Sequence, residues 1–202
     1  AAVVYDGEIM GFVPKTYIPN YSEFYEGRHF SSGKGVEGLK DITYRNINDD
    51  SFISGSYILK NFKLESQEEY DDEYDDEYDE EFDETEDTVS VGTNLLFKCV
   101  NFDNFTFSIE ICEDLWVPNP PSTNHAIAGA TVIANLSASD ETVGKDTYRT
   151  GLVTGQSART LSAYIYADAG EGESTTDLVF AGHNIIAENG AIIAQSDKFT
   201  NG

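Results

Sequence analysis

The stretch Ala130-Thr131-Val132-Ile133-Ala134-Asn135-Leu136 is apolar at nearly every position and lacks the alternation of a strand with one wet face. Such a strand belongs in the middle of a sheet that is covered on both sides. Ala163-Tyr164-Ile165-Tyr166-Ala167 has the same character. Between them, from about Tyr148 to Leu161, Leu152, Val153, Ala158 and Leu161 fall at spacings that suit one face of a helix. Strands separated by a helix point to an α/β layered domain rather than a helical bundle or a pure sandwich.

Further strand signals flank this centre. AAVVYDGEIMGFVPK holds two apolar runs around Asp6-Gly7, a pair suited to a tight hairpin turn, and Pro14 should end regular pairing just before Lys15. Asn94 to Val100 and Phe105 to Ile111 read as strands joined by a polar turn, and a last hairpin turns at Glu188-Asn189-Gly190. Lys15 to Phe30, rich in Tyr, Asn, Pro and Gly, reads as an ordered irregular loop; Ser31 to Asp50 shows no periodicity and reads as loop too.

The net charge of −25 is concentrated in one place. Residues 65–87 contain 16 acidic side chains and no Lys or Arg, whereas outside them 21 acids face 12 bases. An acidic low-complexity insertion at about 64–88 is therefore expected within the domain, with Tyr70, Tyr74, Tyr78 and Phe82 in step every four residues. It lacks the spacing and central glycine of a calcium loop. No basic patch is present to neutralise phosphates, so nucleic acid is not an expected partner. No apolar run approaches the roughly 18 residues a membrane span needs. Two cysteines, Cys99 and Cys112, make no disulfide framework, and free thiols suit a reducing, cytoplasmic setting.

Ile111-Cys112-Glu113-Asp114-Leu115-Trp116 places a thiol where a buried strand gives way to a turn into helix-friendly residues. Backbone N–H groups at such a turn can hold an oxyanion. By position alone Cys112 equally suits a small buried core residue. Lys15, in the structured stretch GFVPKTYIPNYSEFYEGRHF, adds an ammonium able to stabilise charge on a tetrahedral intermediate. His29, His125 and His183 are scattered without zinc-ligand spacing; His125 or His183 could instead serve Cys112 as a base.

These motifs resemble those of the nitrilase superfamily, and in detail the glutaminase domain of the glutamine-dependent NAD+ synthetases. VPKTYIPNYSEFYE, ICEDLWVPNPPS, NLSASDETVGKDTYR, LVTGQSAR and GEGESTTDLVFAGHN carry the likeness in order, leaving out only the stretch from about Ser31 to Val91. The resemblance implies a nitrilase-like α-β-β-α sandwich over residues 1–202, incomplete for want of N-terminal strands and a helix. It implies that Cys112 attacks the side-chain amide of glutamine, forming a thioester and releasing ammonia. Lys15 and the Glu113 N–H would then stabilise the oxyanion, and Glu23 would be the second glutamate that buttresses the site. Tyr21, Glu113, Trp116 and Ser139 would contact glutamine, with Lys145 standing where relatives carry Arg. The physical chemistry agrees, because an amino-acid substrate needs a carboxylate for its ammonium and a cation or hydroxyl for its own carboxylate.

The resemblance also carries a departure. The family's first glutamate, its general base, corresponds to no residue of this sequence, since Glu8 follows the hairpin turn in the wrong place. An isolated chain of this sequence is therefore expected to be inactive. No phosphate loop of a synthetase is present, and Gly170-Glu171-Gly172-Glu173-Ser174 is acidic, so ATP and Mg2+ are expected only in a synthetase domain outside this sequence. That domain and a homo-oligomer are the implied partners of the complete enzyme. Two other readings stay open: a stand-alone nitrilase-family amidase on another small amide, and a catalytically silent interaction module. Glutamine protection of Cys112 from alkylation separates the first, and ammonia release lost in Cys112→Ala separates the second.

Overall fold

The chain's described part begins with the hairpin its sequence predicts. In the computed structural model, which describes residues 1–41, 43–45, 52–54, 88–99, 101–170, 172–175 and 177–200, β1 (Ala2–Tyr5) pairs antiparallel with β2 (Glu8–Phe12). Asp6 and Gly7 both have positive φ, +50° and +84°, as a two-residue turn matched to strand twist requires. The acidic insertion expected at 64–88 lies outside the described residues, apart from Thr88 at its end.

The expectation of loop over Ser31 to Asp50 is corrected. β3 (Glu37–Asp41) pairs antiparallel with β6 (Thr88–Gly92), and β4 (Thr43–Arg45) with β5 (Phe52–Ser54). β3 has no strand pattern of its own; its backbone groups are satisfied by a partner nearly fifty residues away, and such pairing overrides local preference. β6 joins β2 in parallel, giving a four-stranded sheet ordered β1-β2-β6-β3.

The second sheet holds the predicted buried strands. β7 (Leu96–Lys98), β8 (Thr106–Ile111), β9 (Val132–Ser137), β10 (Ala163–Asp168), β11 (Ile185–Glu188) and β12 (Ala191–Gln195) lie in the order β12-β11-β10-β9-β8-β7. The central three are mutually parallel, and α2 (Lys145–Thr160) crosses over between β9 and β10. β11 and β12 form the predicted hairpin, with Asn189 and Gly190 at +48° and +84°. A shorter helix, α1 (Pro121–Ile127), was not legible in the sequence.

Each face of this sheet has its own core. Phe97, Ile109 and Val13 are buried with Phe107, Ile111, Ala134, Val3 and Met10 around them, so β7–β9 pack against the hairpin sheet. Gly11 makes that approach possible: a Cβ there would meet the Phe97 ring at 3.1 Å and Leu95 at 3.2 Å. On the other face Ile133, Tyr164, Tyr166, Ile185 and Ala187 pack with Val153 of α2 and with Leu115. Burying each large apolar side chain contributes about 1.5–3 kcal/mol before chain entropy is counted. Helix, sheet and sheet are thus three layers of the expected α-β-β-α sandwich among the described residues. Leu136, Ile165 and Ile186, on the sheet-facing side of β9–β11, keep 37–45% of their surface exposed.

Candidate active site

β8 delivers Cys112 at its C-terminal end, where the chain enters a single 3-10 turn, Cys112–Leu115. The sequence suggests a strand-to-helix turn; the structure gives this short turn, and the first α-helix waits until Pro121. Cys112 has φ +49°, in the left-handed region that L side chains rarely adopt. Two side-chain acceptors hold it there. The Cys112 N–H donates to Asn135 Oδ1 (3.1 Å), and the Ile111 N–H donates to Asp114 Oδ2 (2.9 Å). The thiol residue is 8% exposed.

Asn135 is fixed from behind by a buried polar chain. Its amide donates to the Tyr164 hydroxyl (3.1 Å), which donates to Glu110 Oε1, while Glu110 Oε2 accepts the Ser122 N–H (2.9 Å). Burial pushes the Glu110 carboxyl above the usual carboxylate range, against the opposing effect of these two donors. Every member of the chain is essentially excluded from solvent, and a buried network of this kind specifies one geometry only if each member is satisfied.

Lys15 lies in the loop after β2, and Asp114 ties that loop to the turn. Asp114 Oδ1 accepts the Tyr17 N–H (2.8 Å), and its Oδ2 accepts the Thr16 N–H (3.4 Å) as well as that of Ile111. One buried carboxylate therefore holds both the residue before Cys112 and the two residues after Lys15. Its burial raises its pKa, opposed by those backbone donors and by Lys15. The Lys15 Nζ itself pairs with Glu26 Oε2 at 2.6 Å. The carboxylate on Lys15 is that of Glu26, on the 3-10 turn Glu26–Arg28, a partner not expected from the sequence. Glu23 is half-buried on the same loop, within electrostatic reach of Tyr21.

The residues expected to contact substrate fall into one neighbourhood. The Tyr21 hydroxyl donates to Glu113 Oε2 (2.9 Å) and lies within electrostatic reach of Cys112. Glu113 titrates above its usual range because partial burial disfavours its charge, an effect opposed by Tyr21 and Lys15. The Lys145 ammonium sits 5.4 Å from the Trp116 ring centre and 5.8 Å from that of Phe24, and pairs with Asp140. Phe24 meets Tyr21 edge-on at 5.8 Å, and Trp116 leans on Tyr148 at 5.5 Å. Ser139 is buried and its N–H donates to Asp168 Oδ1 (2.9 Å). A carboxylate, an ammonium and aromatic walls are the groups a small zwitterion needs.

Sequence reasoning missed Asp114, Glu26, Asn135, Phe24 and Asp140. It also weighed His125 and His183 as bases, and the structure engages both otherwise. The His125 Nε2 meets the Thr93 carbonyl (2.8 Å), and the His183 Nδ1 meets Arg149 Nη1 (3.2 Å). A cleft of about 410 Å3 between the first turn of α2 and the end of β12 is lined by Asp146, Thr150, His183, Gln195 and Lys198, with none of the expected site residues among its walls.

No family model matches the chain. Over all 202 residues it is 41% identical to the glutamine-dependent NAD(+) synthetases of Mycobacterium bovis and Mycobacterium tuberculosis, covering 24% of each. The human glutamine-dependent NAD(+) synthetase is 32% identical over 115 residues, which are 57% of this chain and 16% of that one. The chain thus spans about a quarter of the length of the curated relatives it matches from end to end. Among solved structures, the glutamine-dependent NAD(+) synthetase of Cytophaga hutchinsonii superposes with a TM-score of 0.64 at 23% identity, over 98% of this chain and 25% of that one. That of Acinetobacter baumannii, in complex with adenosine diphosphate, gives 0.63 at 20% identity, over 100% of this chain and 26% of that one. At these identities the superpositions speak for the fold.

Proposed function

The chain belongs to the glutamine-dependent NAD(+) synthetase family, and on that premise we propose that it is the nitrilase-type portion which, within the full-length protein, hydrolyses the side-chain amide of glutamine through Cys112. The observation that carries the reading is the shared anchorage of nucleophile and ammonium. Cys112 stands strained at a strand end, and Asp114 binds the backbone on either side of the gap to Lys15.

In the reaction the Cys112 sulfur adds to the amide carbon, and the carbonyl oxygen becomes an oxyanion stabilised by the Lys15 ammonium and the Glu113 N–H. The proton lost from the thiol passes to the amide nitrogen, and collapse breaks the C–N bond, releasing ammonia and leaving a thioester. Water then cleaves the thioester to glutamate and regenerates the thiol. Glu26 holds the Lys15 ammonium in place, while Tyr21, Glu113, Trp116, Ser139 and Lys145 hold the amino-acid end of glutamine. The ammonia goes to a synthetase site that amidates deamido-NAD+, where ATP and Mg2+ belong. A homo-oligomer and a cytoplasmic setting complete the reading, the latter supported by the free thiols of Cys99 and Cys112. Among the described residues no helix is long and apolar enough to cross a membrane.

The test is ammonia release from glutamine by the full-length protein and by Cys112→Ala. The reading expects release that the substitution abolishes, and prior glutamine should shield Cys112 from iodoacetamide where acetamide does not. Equal release by both proteins sinks it.

A further inference from the structure

Ser139 and Asp140 sit on the loop that leaves β9, and that loop is held by a buried charge cluster that touches neither the thiol nor Lys15. The Ser139 N–H donates to Asp168 Oδ1 at the end of β10 (2.9 Å). The other oxygen of Asp168 stands 3.7 Å from Arg149 Nη2. Arg149 rises from α2, the helix that begins with Lys145, and its side chain is fully excluded from solvent. Its Nη1 donates to Glu141 Oε2 (3.0 Å) and to His183 Nδ1 (3.2 Å), and its Nη2 donates to the Asp140 carbonyl (3.5 Å). The Glu141 N–H is taken by the Val179 carbonyl (2.7 Å). Residues 139, 140 and 141 are thus each tied to Asp168 or Arg149. A buried cluster of this kind is weak evidence for stability, because desolvation offsets much of the attraction, and its better-attested use is to fix geometry.

We infer that Asp168 and Arg149 are positioning residues for the amino-acid end of the substrate, holding the loop so that Ser139 keeps its place and Lys145, through Asp140, stays on the aromatic pair Trp116 and Phe24. The inference rests on the amidase reading. Groups holding the non-reacting end bind ground state and transition state alike, so loosening them raises KM more than it lowers kcat. The charge of Asp168 is also conditional. Its carboxyl is pushed up to about 6, chiefly by burial, with Glu141 adding to the shift and Arg149 and the Ser139 and Ala169 N–H groups opposing it. The groups facing it are Arg149 from α2, Glu141 from the loop and Tyr166 on its own strand; His183 and Lys198 reach the Arg149–Glu141 pair from beyond. As pH falls through about 6, Asp168 takes a proton and Arg149 loses one of its two counter-charges.

The experiment is steady-state ammonia release by the full-length protein against glutamine concentration across that pH range, for wild type, Asp168→Asn and His183→Asn, with Cys112→Ala as the blank. The wild-type KM should climb on the acid side of about 6 while kcat changes less. Asp168→Asn should carry a raised KM, on the order of tenfold, at every pH and lose the acid limb. His183→Asn, which keeps an acceptor for Arg149, should retain the limb. A wild-type KM that stays flat across the range overturns the inference without any variant. So does an Asp168→Asn protein that keeps the wild-type KM and limb, or one whose loss is all in kcat. Release that does not depend on Cys112 removes the amidase reading itself, and this inference with it.

Discussion

Cys112 occupies a backbone conformation that its side chain resists, and the cost identifies what the surrounding hydrogen bonds do. A left-handed non-glycine residue is disfavoured by roughly 1–2 kcal/mol, and at φ +49° that burden falls on Asn135 and Asp114. Cys112→Gly should therefore unfold at higher urea than Cys112→Ala, by about 1 kcal/mol, although glycine ordinarily lowers stability relative to alanine; the reverse order would mean that the turn relaxes when sulfur is lost. The pair at Lys15 makes a second prediction. Glu26→Gln leaves the ammonium without its charged partner at 2.6 Å and should lower the turnover of glutamine on the order of a hundredfold, as misplacement of a catalytic group does. Glu23→Gln should do far less. If the Glu23 substitution proved the more damaging, the buttressing role would return to the residue eight positions beyond Lys15.

Between elements, the decisive connection is the one from the β8 turn to the loop after β2. Asp114 accepts three backbone N–H groups across it, two from partners 97 and 98 residues away in sequence. Asp114→Ala would leave those donors without an acceptor and should cost on the order of 2–4 kcal/mol in denaturant unfolding. From the other side, Gly33 packs on Pro14 and donates to the Lys15 carbonyl (2.7 Å). A Cβ at Gly33 would lie 2.6 Å from Pro14, so Gly33→Ala should slow turnover by shifting Lys15 while leaving β8 and α2 intact by circular dichroism. These links also explain what could be read in advance. β8, β9, β10 and α2 are legible because burial on two faces, or on one helical face, writes a pattern into adjacent residues. Cys112 and Lys15 are legible because their chemistry needs particular residue types in recognisable surroundings. Asp114 and Asn135 are visible as residues but not as anchors, since hydrogen-bond partners so distant leave no local trace. β3 stayed hidden because its pairing with β6 supplies what Glu37-Gly38-Leu39-Lys40-Asp41 lacks on its own.

For the molecule as a whole, charge governs stability through the solvent. A net charge of −25 on 202 residues is self-repulsive, so the melting temperature should rise as ionic strength goes from about 0.01 M to about 0.15 M and the screening length shrinks from about 30 Å to about 8 Å. A fall over that interval would mean that attractive pairs such as Lys198 with Asp146 outweigh the repulsion. Acidity acts more selectively, through Asp168. Its carboxyl titrates at about 6 in the folded protein, whereas an unfolded aspartate titrates near about 3.9. Between those values the native state holds more protons than the unfolded chain, so this group's contribution to stability falls as pH rises through the interval and levels off above it. A single pH curve would mix this group with every other acidic side chain of the chain. Asp168→Asn removes one titration and shares the rest, so the difference between the two unfolding free energies isolates it. Wild type should lose stability relative to the variant as pH climbs from about 4 to about 6. A gap that stayed constant, or ran the other way, would mean that Arg149 at 3.7 Å outweighs burial and holds Asp168 ionised in the folded state.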